Sequence, residues 1–400
     1  MYKVYRILNT ILTLPVKSPK IGGASCPSVW FHMASLGEIN SAKRLIDKFL
    51  ENGYFVFSTV FTESGYEKLR EMYKGRRDFE VVRFPYDKAS FIENVYKLKS
   101  IRALIIIETE LWPNLITIGS EYSKLYLINA RISDKNIRRI ERLKGLFAEL
   151  LDRFSIIFPQ STYQFKRFKE FGVPEHRLLY VGNTKIDSLE VDPRKLLARS
   201  EIGIPEEEFV VVFGSIRGRE IPHIIETVRI LMKEGIGIII APRHPVRVRL
   251  LEDKLSSLNI PFVKRTRSKY KKGHVFIVDT LGELMRFYYL SNVAFVGGTL
   301  EDYGGHNVLE PAIFAKPVLF GPFIRNVQDE AEGLVKAQGG IMVKDSSELT
   351  GVILDFYRNR RRAALVGENA LKFVENLKKS SDKIFRIIQE DLNEKTRTLF

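Results

Sequence analysis

Short, continuous apolar runs alternate with amphipathic segments along most of this chain. In the first half, the runs that predict strands lie at residues 29–33, 55–60, 79–84, 103–107, 125–128, 155–158 and 179–181. Apolar positions at helical spacing separate them, at 39–51, 64–73 and 134–151. Unbroken apolar runs are typical of parallel strands that are buried on both faces, and strand–helix repetition predicts a doubly wound α/β sheet.

The same alternation restarts in the second half, after a polar stretch that contains proline at 188–208. Strands are predicted at 210–214, 236–241, 275–278, 293–296, 317–320 and 341–343, and helices at 345–357, 360–378 and 380–392. The pattern therefore predicts two α/β domains of similar size joined by a linker, followed by a helical tail.

The first fifteen residues, MYKVYRILNTILTLP, carry apolar side chains at helical spacing. One face of the predicted helix contains Val4, Ile7, Leu8, Ile11 and Leu12. The run is shorter than the roughly 20 apolar residues that span a bilayer, and polar residues interrupt it more than a signal peptide allows. Two interpretations stay open: a helix packed on the protein's own surface, or an anchor that lies in the plane of a membrane.

Composition and charge narrow the classes of function. The 400 residues suit two domains. The single cysteine, Cys26, excludes an intrachain disulfide framework and a cysteine-based zinc site. The six histidines lack metal-binding spacing, so we expect no structural metal. We also expect no cofactor. The formal net charge of +15 suits an anionic membrane or a phosphorylated substrate, whereas scattered basic clusters without a known motif predict no nucleic-acid partner.

The segment VGGTLEDYGGHNVLEP, residues 296–311, follows a predicted strand and precedes a predicted helix. Its glycine pairs allow a ligand to approach the backbone closely, and a helix that begins near Asn307 would offer N–H groups to a phosphate. Glu310 lies about one turn further, where a carboxylate can accept hydrogen bonds from the two hydroxyls of a ribose. The pattern predicts a nucleotide site; the alternative is a loop that only caps the helix, with Glu310 favouring the helix dipole.

Three further turns in this half place polar residues at strand ends. They contain Ser215 and Arg217, then Pro242 and Arg243, and finally Leu281, Gly282 and Glu283. An arginine at such a position can bind a phosphate through two hydrogen bonds. Because open α/β sheets bind ligands at the carboxyl ends of their strands, the four turns together favour the nucleotide interpretation.

Charged residues also follow strands in the N-terminal half. Glu38 starts a helix just after the strand at 29–33, and Glu108 and Glu110 follow the most apolar strand. A carboxylate at a helix start normally has a lowered pKa, so Glu38 would be a general base only if the site is partly dry or the substrate shifts its pKa. The alternative is that Glu38 only stabilises the helix dipole. Strand alternation would send Glu108 and Glu110 to one side, where Arg131 and Lys185 are the candidate cationic partners.

These motifs together resemble the 3-deoxy-D-manno-octulosonic acid (Kdo) transferases of lipopolysaccharide synthesis. The matching strings follow the family's order over about residues 30–325: S-L-G-E at 35–38, E-T-E-L-W-P-N at 108–114, N-A-R at 129–131, K-I-D at 185–187, P-R-H-P at 242–245, G-E-L-M at 282–285, F-V-G-G at 295–298 and G-G-H-N-V-L-E at 304–310. The string E-T-E-L-W-P-N is very specific, whereas G-G-H-N-x-L-E is shared more loosely with other GT-B enzymes.

The resemblance implies a GT-B fold, which has two Rossmann-like doubly wound α/β domains facing a central cleft, with C-terminal helices. The implied organisation is a membrane-associated amphipathic segment at 1–20, an acceptor-binding domain at 21–187, the linker at 188–208, a CMP-Kdo-binding domain at 209–378 and a helix at 379–400 that could pack back on the N-terminal domain. The implied reaction is inverting transfer of Kdo from CMP-Kdo to the lipid A precursor, lipid IVA, without a catalytic metal.

The resemblance also implies roles for individual residues. Glu38 is the expected general base on the acceptor hydroxyl, and Glu108 and Lys185 are expected to stabilise the transition state. The expected substrate contacts are Pro242, Arg243, Leu281, Gly282, Glu283, Asn307, Val308, Leu309 and Glu310, with Ser215 and Arg217 as further candidates. The turn G-S-I-R-G-R-E at 214–220 departs from the family's S-T-[HR]-x-G-E-E pattern.

The expected partners are CMP-Kdo, the lipid A precursor and an anionic membrane surface, and the expected location is the cytoplasmic face of the bacterial inner membrane. Two other interpretations remain: another GT-B nucleotide-sugar enzyme, such as a UDP-sugar transferase or an epimerase, and a non-enzymatic basic protein that binds anionic membranes. The string E-T-E-L-W-P-N argues against the first, and the absence of one continuous basic stretch argues against the second.

Overall fold

Two compact units make up the protein, and each is built on its own parallel sheet. The computed structural model describes residues 2–13, 16–132, 144–189, 193, 196–244 and 248–397. The first unit comprises Met1–Ser188 and Leu377–Phe400, and the second comprises Leu189–Asn376. The predicted α/β class with two doubly wound domains is therefore confirmed.

The first unit contains a six-stranded sheet in the order β3-β2-β1-β4-β5-β6. Its strands are β1 (Ala24–Met33), β2 (Phe55–Val60), β3 (Phe79–Arg83), β4 (Lys99–Ile107), β5 (Lys124–Ala130) and β6 (Ile156–Pro159). The described helices of its first part are α1 (Tyr2–Thr13), α2 (Leu36–Glu51), α3 (Glu63–Met72), α4 (Ala89–Leu98), α5 (Pro113–Tyr122), α6 (Lys144–Leu151) and α7 (Thr162–Glu170). The helix predicted at 134–151 lies partly outside the described residues, and α6 covers its end.

The second unit contains a seven-stranded sheet in the order β13-β12-β11-β7-β8-β10-β9. Its strands are β7 (Val210–Ile216), β8 (Gly237–Pro242), β9 (Phe262–Lys264), β10 (Val275–Ile277), β11 (Val293–Val296), β12 (Val318–Phe320) and β13 (Gly340–Met342). The described helices are α8 (Arg199–Ile202), α9 (Ile221–Lys233), α10 (Val248–Ser257), α11 (Leu284–Leu290), α12 (Leu309–Ala312), α13 (Gln328–Lys336), α14 (Ser346–Arg358) and α15 (Arg360–Leu377).

The C-terminal helix, α16 (Ser380–Arg397), packs on the first unit. Its apolar face joins a core cluster of that unit, and the ring centroids of Phe385 and Phe49 lie 4.9 Å apart. The carboxylate of Asp391 accepts hydrogen bonds from Lys124 Nζ at 2.5 Å and Tyr126 Oη at 2.6 Å. Apolar burial and these polar contacts therefore hold the C-terminal helix on the first unit.

Two strand assignments differ from the sequence-based prediction. The run predicted as a strand at 179–181 does not form one, so this prediction is wrong. It follows an isolated bridge between Leu178 and Ile157, and the Leu179 N–H donates to Ile157 O at 3.0 Å. Conversely, β9 is present but not predicted, because it is a half-buried strand of three residues at the edge of the sheet. Short edge strands carry too few apolar positions to show a period.

Helix α1 docks on the first unit through polar side chains. Tyr5 Oη donates to Asp87 Oδ2 at 2.8 Å, and Tyr2 Oη donates to Asn114 Oδ1 at 3.1 Å. On its apolar face, Leu8 is 56% exposed and Leu12 is 75% exposed. The helix thus packs on the protein while leaving apolar side chains in solvent. In the described part of the chain, no helix has both the length and the apolar character that crossing a bilayer requires.

Candidate functional site

Glu38 lies in the first turn of α2, directly after the carboxyl end of β1. Its carboxylate accepts hydrogen bonds from the Ala34 N–H at 2.5 Å and from Ser35 Oγ at 3.0 Å. Only 6% of the residue is exposed. The sharp exit from β1 therefore folds a carboxylate into the protein and fixes both of its oxygens.

Burial dominates the electrostatics of Glu38 and raises its pKa to about 7. The hydrogen bond from Ala34 opposes this shift, and the negative charges of Glu110 and Glu108 reinforce it. The expectation of a lowered pKa at a helix start is wrong here, because desolvation outweighs the helix dipole. A carboxylate that titrates near neutral pH is well suited to remove a proton from a substrate.

Glu108 and Lys185 form an ion pair in the same unit. Glu108 follows β4 with a φ of 59°, a left-handed conformation that is uncommon for a residue with a side chain. Its Oε1 lies 2.5 Å from Lys185 Nζ, and the Lys185 N–H donates to Asn183 Oδ1 at 3.0 Å. The structure therefore brings two of the three catalytic candidates into contact and places the third, Glu38, within range of the Glu108 charge.

Glu108 and Glu110 lie beyond the end of β4, because the strand ends at Ile107 and the chain turns at Glu108. Strand alternation therefore does not orient them, although the charges of both act on Glu38. Glu110 accepts a hydrogen bond from Trp112 Nε1 at 3.0 Å, and burial raises its pKa. Arg131 has an exposed side chain and joins the site through its backbone N–H, which donates to Thr109 Oγ1 at 3.1 Å.

In the second unit, Glu220 organises the strand ends, a role that its sequence pattern alone does not indicate. It is completely buried and accepts four backbone N–H groups. The donors are Arg217 at 2.9 Å, Gly298 at 2.7 Å, Thr299 at 2.9 Å and Leu300 at 3.0 Å. The available signal was a glutamate that follows Arg217 by three residues, but only the fold reveals that it binds the turn after β11.

The glycines after β11 serve the turn itself. The Gly297 N–H donates to Gly214 O at 2.8 Å, and the Gly298 N–H is bound to Glu220. A Cβ on Gly297 would lie 2.7 Å from Ser215 O, and Gly298 has a φ of 73° beside the His306 ring. The expectation that this first glycine pair offers its amides to a phosphate is therefore wrong, because protein acceptors already occupy both.

Cationic side chains gather where β7 and β8 end. Arg243 follows β8, and its N–H donates to Ile216 O at 3.0 Å. Arg217 Nη1 lies 2.7 Å from His244 Nε2. Burial lowers the pKa of His306 to about 4, and the charges of Arg243, Arg217 and His244 lower it further. These groups share one small region of positive potential, which suits an anionic ligand. The adjacent Ser215 is buried with a φ of 57° and contributes backbone to the turn.

Glu310 faces this cationic region from α12. The helix begins at Leu309, two residues later than predicted. Asn307 Oδ1 accepts from the Leu309 N–H at 3.1 Å, and Asn307 Nδ2 donates to Glu310 Oε1 at 3.4 Å. Burial raises the pKa of Glu310, while Asn307 and the charge of Arg243 lower it. Val308 and Leu309 are buried and hold the loop in place.

The remaining predicted contacts lie at the ends of β8 and β10. Pro242 ends β8 and is half-buried. Leu281 is strongly exposed, and Gly282 has a φ of 80° with open space around its Cα. Glu283 precedes α11 and is held by the Thr280 hydroxyl and by Arg265, at 3.4 Å. The turn thus presents a hydrophobic side chain and open backbone to solvent.

Metal-ligating side chains do not cluster in the described ranges of the chain: no group of three or more His, Cys, Asp or Glu residues there could hold an ion.

Comparison with known proteins gives the following matches. Residues 10–188 match the family model of 3-deoxy-D-manno-octulosonic-acid transferase (kdotransferase). A 3-deoxy-D-manno-octulosonic acid transferase of Rickettsia felis is 30% identical over 373 residues, which cover 91% of this chain and 79% of that protein. A bifunctional glycosyltransferase/methyltransferase of Fusobacterium nucleatum is 31% identical over 372 residues, covering 91% of this chain and 55% of that protein.

The fold also resembles solved structures. The crystal structure of a glycosyltransferase from Rickettsia africae superposes with a TM-score of 0.64 at 12% sequence identity, covering 92% of this chain and 98% of that chain. At this level of identity the match concerns the fold alone.

Proposed function

Because the chain belongs to the 3-deoxy-D-manno-octulosonic acid transferase family, we propose that it transfers Kdo from CMP-Kdo to the lipid A precursor lipid IVA, with inversion at the anomeric carbon. It is a glycosyltransferase of the GT-B fold, and Kdo is the sugar that it transfers. The observation that carries the proposal is Glu38, a buried carboxylate with a pKa of about 7 beside an ion pair.

In the proposed reaction, Glu38 removes the proton from an acceptor hydroxyl. The freed oxygen forms a bond to the anomeric carbon of Kdo as the bond from that carbon to the CMP phosphate breaks. The Ala34 N–H and the Ser35 hydroxyl hold both oxygens of Glu38, so the base is oriented before the substrate arrives. Such general-base assistance contributes typically about 10²–10⁴-fold to rate.

Positive charge stabilises the leaving nucleotide. We assign Lys185 and its partner Glu108 to transition-state stabilisation, and Arg243 with Arg217 to the CMP phosphate. Glu310 accepts hydrogen bonds from the ribose hydroxyls, and the exposed turn at Leu281 to Glu283 faces the cytosine ring of CMP. Fixed charges aimed at developing charge are commonly worth several kcal/mol of barrier. Because these cations can neutralise the phosphate, we propose that transfer needs no metal and continues in the presence of a chelator.

The amphiphilic acceptor requires the protein to work at a lipid surface. The exposed Leu8 and Leu12 on α1 and the net charge of +15 support attachment to an anionic membrane. We propose peripheral attachment at the cytoplasmic face of the inner membrane, with α1 lying in the interface.

A donor comparison tests this function against the alternative of another nucleotide-sugar enzyme. The protein is incubated with CMP-Kdo or with UDP-N-acetylglucosamine, with and without lipid IVA, and the nucleotides are separated by chromatography. We expect CMP release from CMP-Kdo that depends on the acceptor. Turnover of the UDP-sugar, with CMP-Kdo left intact, would overturn the proposal in favour of a UDP-sugar transferase or epimerase.

A further inference from the structure

A phenol hydroxyl in the second unit is buried without a partner. Tyr288 lies on α11 and is completely buried, and its Oη has no hydrogen-bond partner among the described residues. Burying a hydroxyl in this way is unfavourable, whereas phenylalanine would fill the same space without that cost. An orphaned polar group in a native core therefore calls for a functional explanation.

The surrounding fold makes room for this hydroxyl. Helix α11 packs against β7 and α12, and any Cβ on Gly214 of β7 would overlap the Tyr288 hydroxyl and its ring. Gly214 directly precedes Ser215 and lies three residues before Arg217, both of which are candidates for the nucleotide site. The hydroxyl is thus directed at the carboxyl end of β7, close in the chain to these residues.

Glu310 is the charged residue that acts on this phenol. Burial raises the pKa of Tyr288 well above its ordinary value, and the negative charge of Glu310 raises it further. Within the described part of the chain, the hydrogen bond that holds Glu310 is a long one from Asn307 Nδ2, at 3.4 Å. A carboxylate held so weakly can turn when a ligand engages it, and Tyr288 is a buried donor on the helix that packs against α12.

We propose that Tyr288 is a positioning residue for Glu310, whose carboxylate accepts a hydrogen bond from the phenol when the ribose hydroxyls of CMP bind to it. This inference rests on the proposed nucleotide function of the second unit. The hydrogen bond orients the carboxylate and favours its ionised form, which can accept from both ribose hydroxyls. Among the other charged groups, Arg243 acts on Glu310 and also on His306, on which Arg217 and His244 act as well.

CMP binding to the full-length protein tests the inference by titration calorimetry between about pH 5 and pH 8. Tyr288→Phe is compared with Tyr289→Phe, the same substitution at the next position of the same helix, where the side chain is 41% exposed. We expect Tyr288→Phe to weaken CMP binding about 10-fold where Glu310 is ionised and by less towards acidic pH, because the phenol donates to the ionised carboxylate in the complex. Tyr289→Phe should bind like wild type.

Two further measurements separate positioning from a structural role. The melting temperature of Tyr288→Phe should not fall, because the hydroxyl has no partner to lose in the unliganded protein. In a Glu310→Ala background, Tyr288→Phe should cause no additional loss of CMP affinity. Unchanged affinity and pH dependence in Tyr288→Phe, or an equal loss in both backgrounds, would overturn the inference alone. Failure of the wild-type protein to bind CMP would instead overturn the proposed nucleotide site.

Discussion

Replacing Glu38 with glutamine separates its catalytic role from its effect on stability. The side chain keeps its shape, its carbonyl oxygen can still accept from the Ala34 N–H, and its amide can donate to Ser35 Oγ. Glutamine cannot ionise, so the substitution removes a titrating carboxyl group from a buried position. The substitution therefore tests the electrostatic argument without creating a cavity.

The magnitude follows from the pKa. The ordinary value is 4.5 and the folded protein raises it to about 7, which corresponds to about 3 kcal/mol between the two protonation states. Because the folded-state pKa is the higher one, the contribution of Glu38 to stability is fully present below the unfolded-state pKa and is lost as pH rises through about 7. Glutamine does not ionise, so Glu38→Gln should gain up to about 3 kcal/mol at pH 8 and nothing below pH 4.5.

Urea unfolding at pH 8 and below pH 4.5 measures the effect on stability, and Kdo transfer at neutral pH measures the effect on catalysis. Transfer should fall about 10²–10⁴-fold in Glu38→Gln, while CMP affinity stays unchanged. The matched control is Glu63→Gln, which also lies in the first turn of a helix in the first unit but has a side chain that is 66% exposed. This control should change neither transfer nor the pH dependence of stability.

Two results would refute the reasoning on Glu38. Wild-type transfer by Glu38→Gln would end its role as the general base. An equal stability difference at both pH values would mean that burial does not raise its pKa in the folded protein.

Three further predictions follow from other contacts. Lys185→Ala should lower transfer about 100-fold and leave CMP affinity nearly unchanged in calorimetry; a parallel loss of affinity would contradict a role confined to the transition state. Replacing Leu8 and Leu12 with aspartate should abolish co-sedimentation with anionic vesicles, whereas Leu365→Asp, at a leucine about as exposed as Leu8, should not; identical sedimentation of all variants would refute the anchor. Glu220→Gln should lower the free energy of unfolding by about 1–3 kcal/mol per N–H left unpaired, and an unchanged urea midpoint would contradict this.

The fold was largely predictable because its strands are apolar throughout. The residues of the run at 103–107 are fully buried, on both faces of the sheet. An unbroken apolar run of this kind indicates a central strand from sequence alone. The pattern fails in two places: β9 is a half-buried strand at an edge of the sheet, and the apolar run at 179–181 forms no strand, although its neighbour Leu178 bridges to Ile157. Periodicity reports burial, and pairing depends on where the tertiary fold brings each segment.

The candidate site was less predictable because its chemistry depends on long-range contacts. The sequence identified Glu38 and its helix start but could not supply the desolvation that reverses the direction of its pKa shift. It identified the glycines at 297–298 but could not reveal that Glu220, far away in the chain, binds the Gly298 amide. Their positions after strands made Lys185 and Arg131 equal candidates as partners of Glu108; the family resemblance favoured Lys185, and the fold shows that ion pair.

Mass spectrometry of the lipid acceptor tests the central claim most directly. Wild-type protein and Glu38→Gln are incubated separately with CMP-Kdo and lipid IVA. The lipid is extracted from each reaction, and the two masses are compared. We predict that the lipid gains the mass of Kdo with wild-type protein and remains unmodified with the variant. A lipid that keeps its original mass in the wild-type reaction, or that gains Kdo equally in both, would contradict the mechanism.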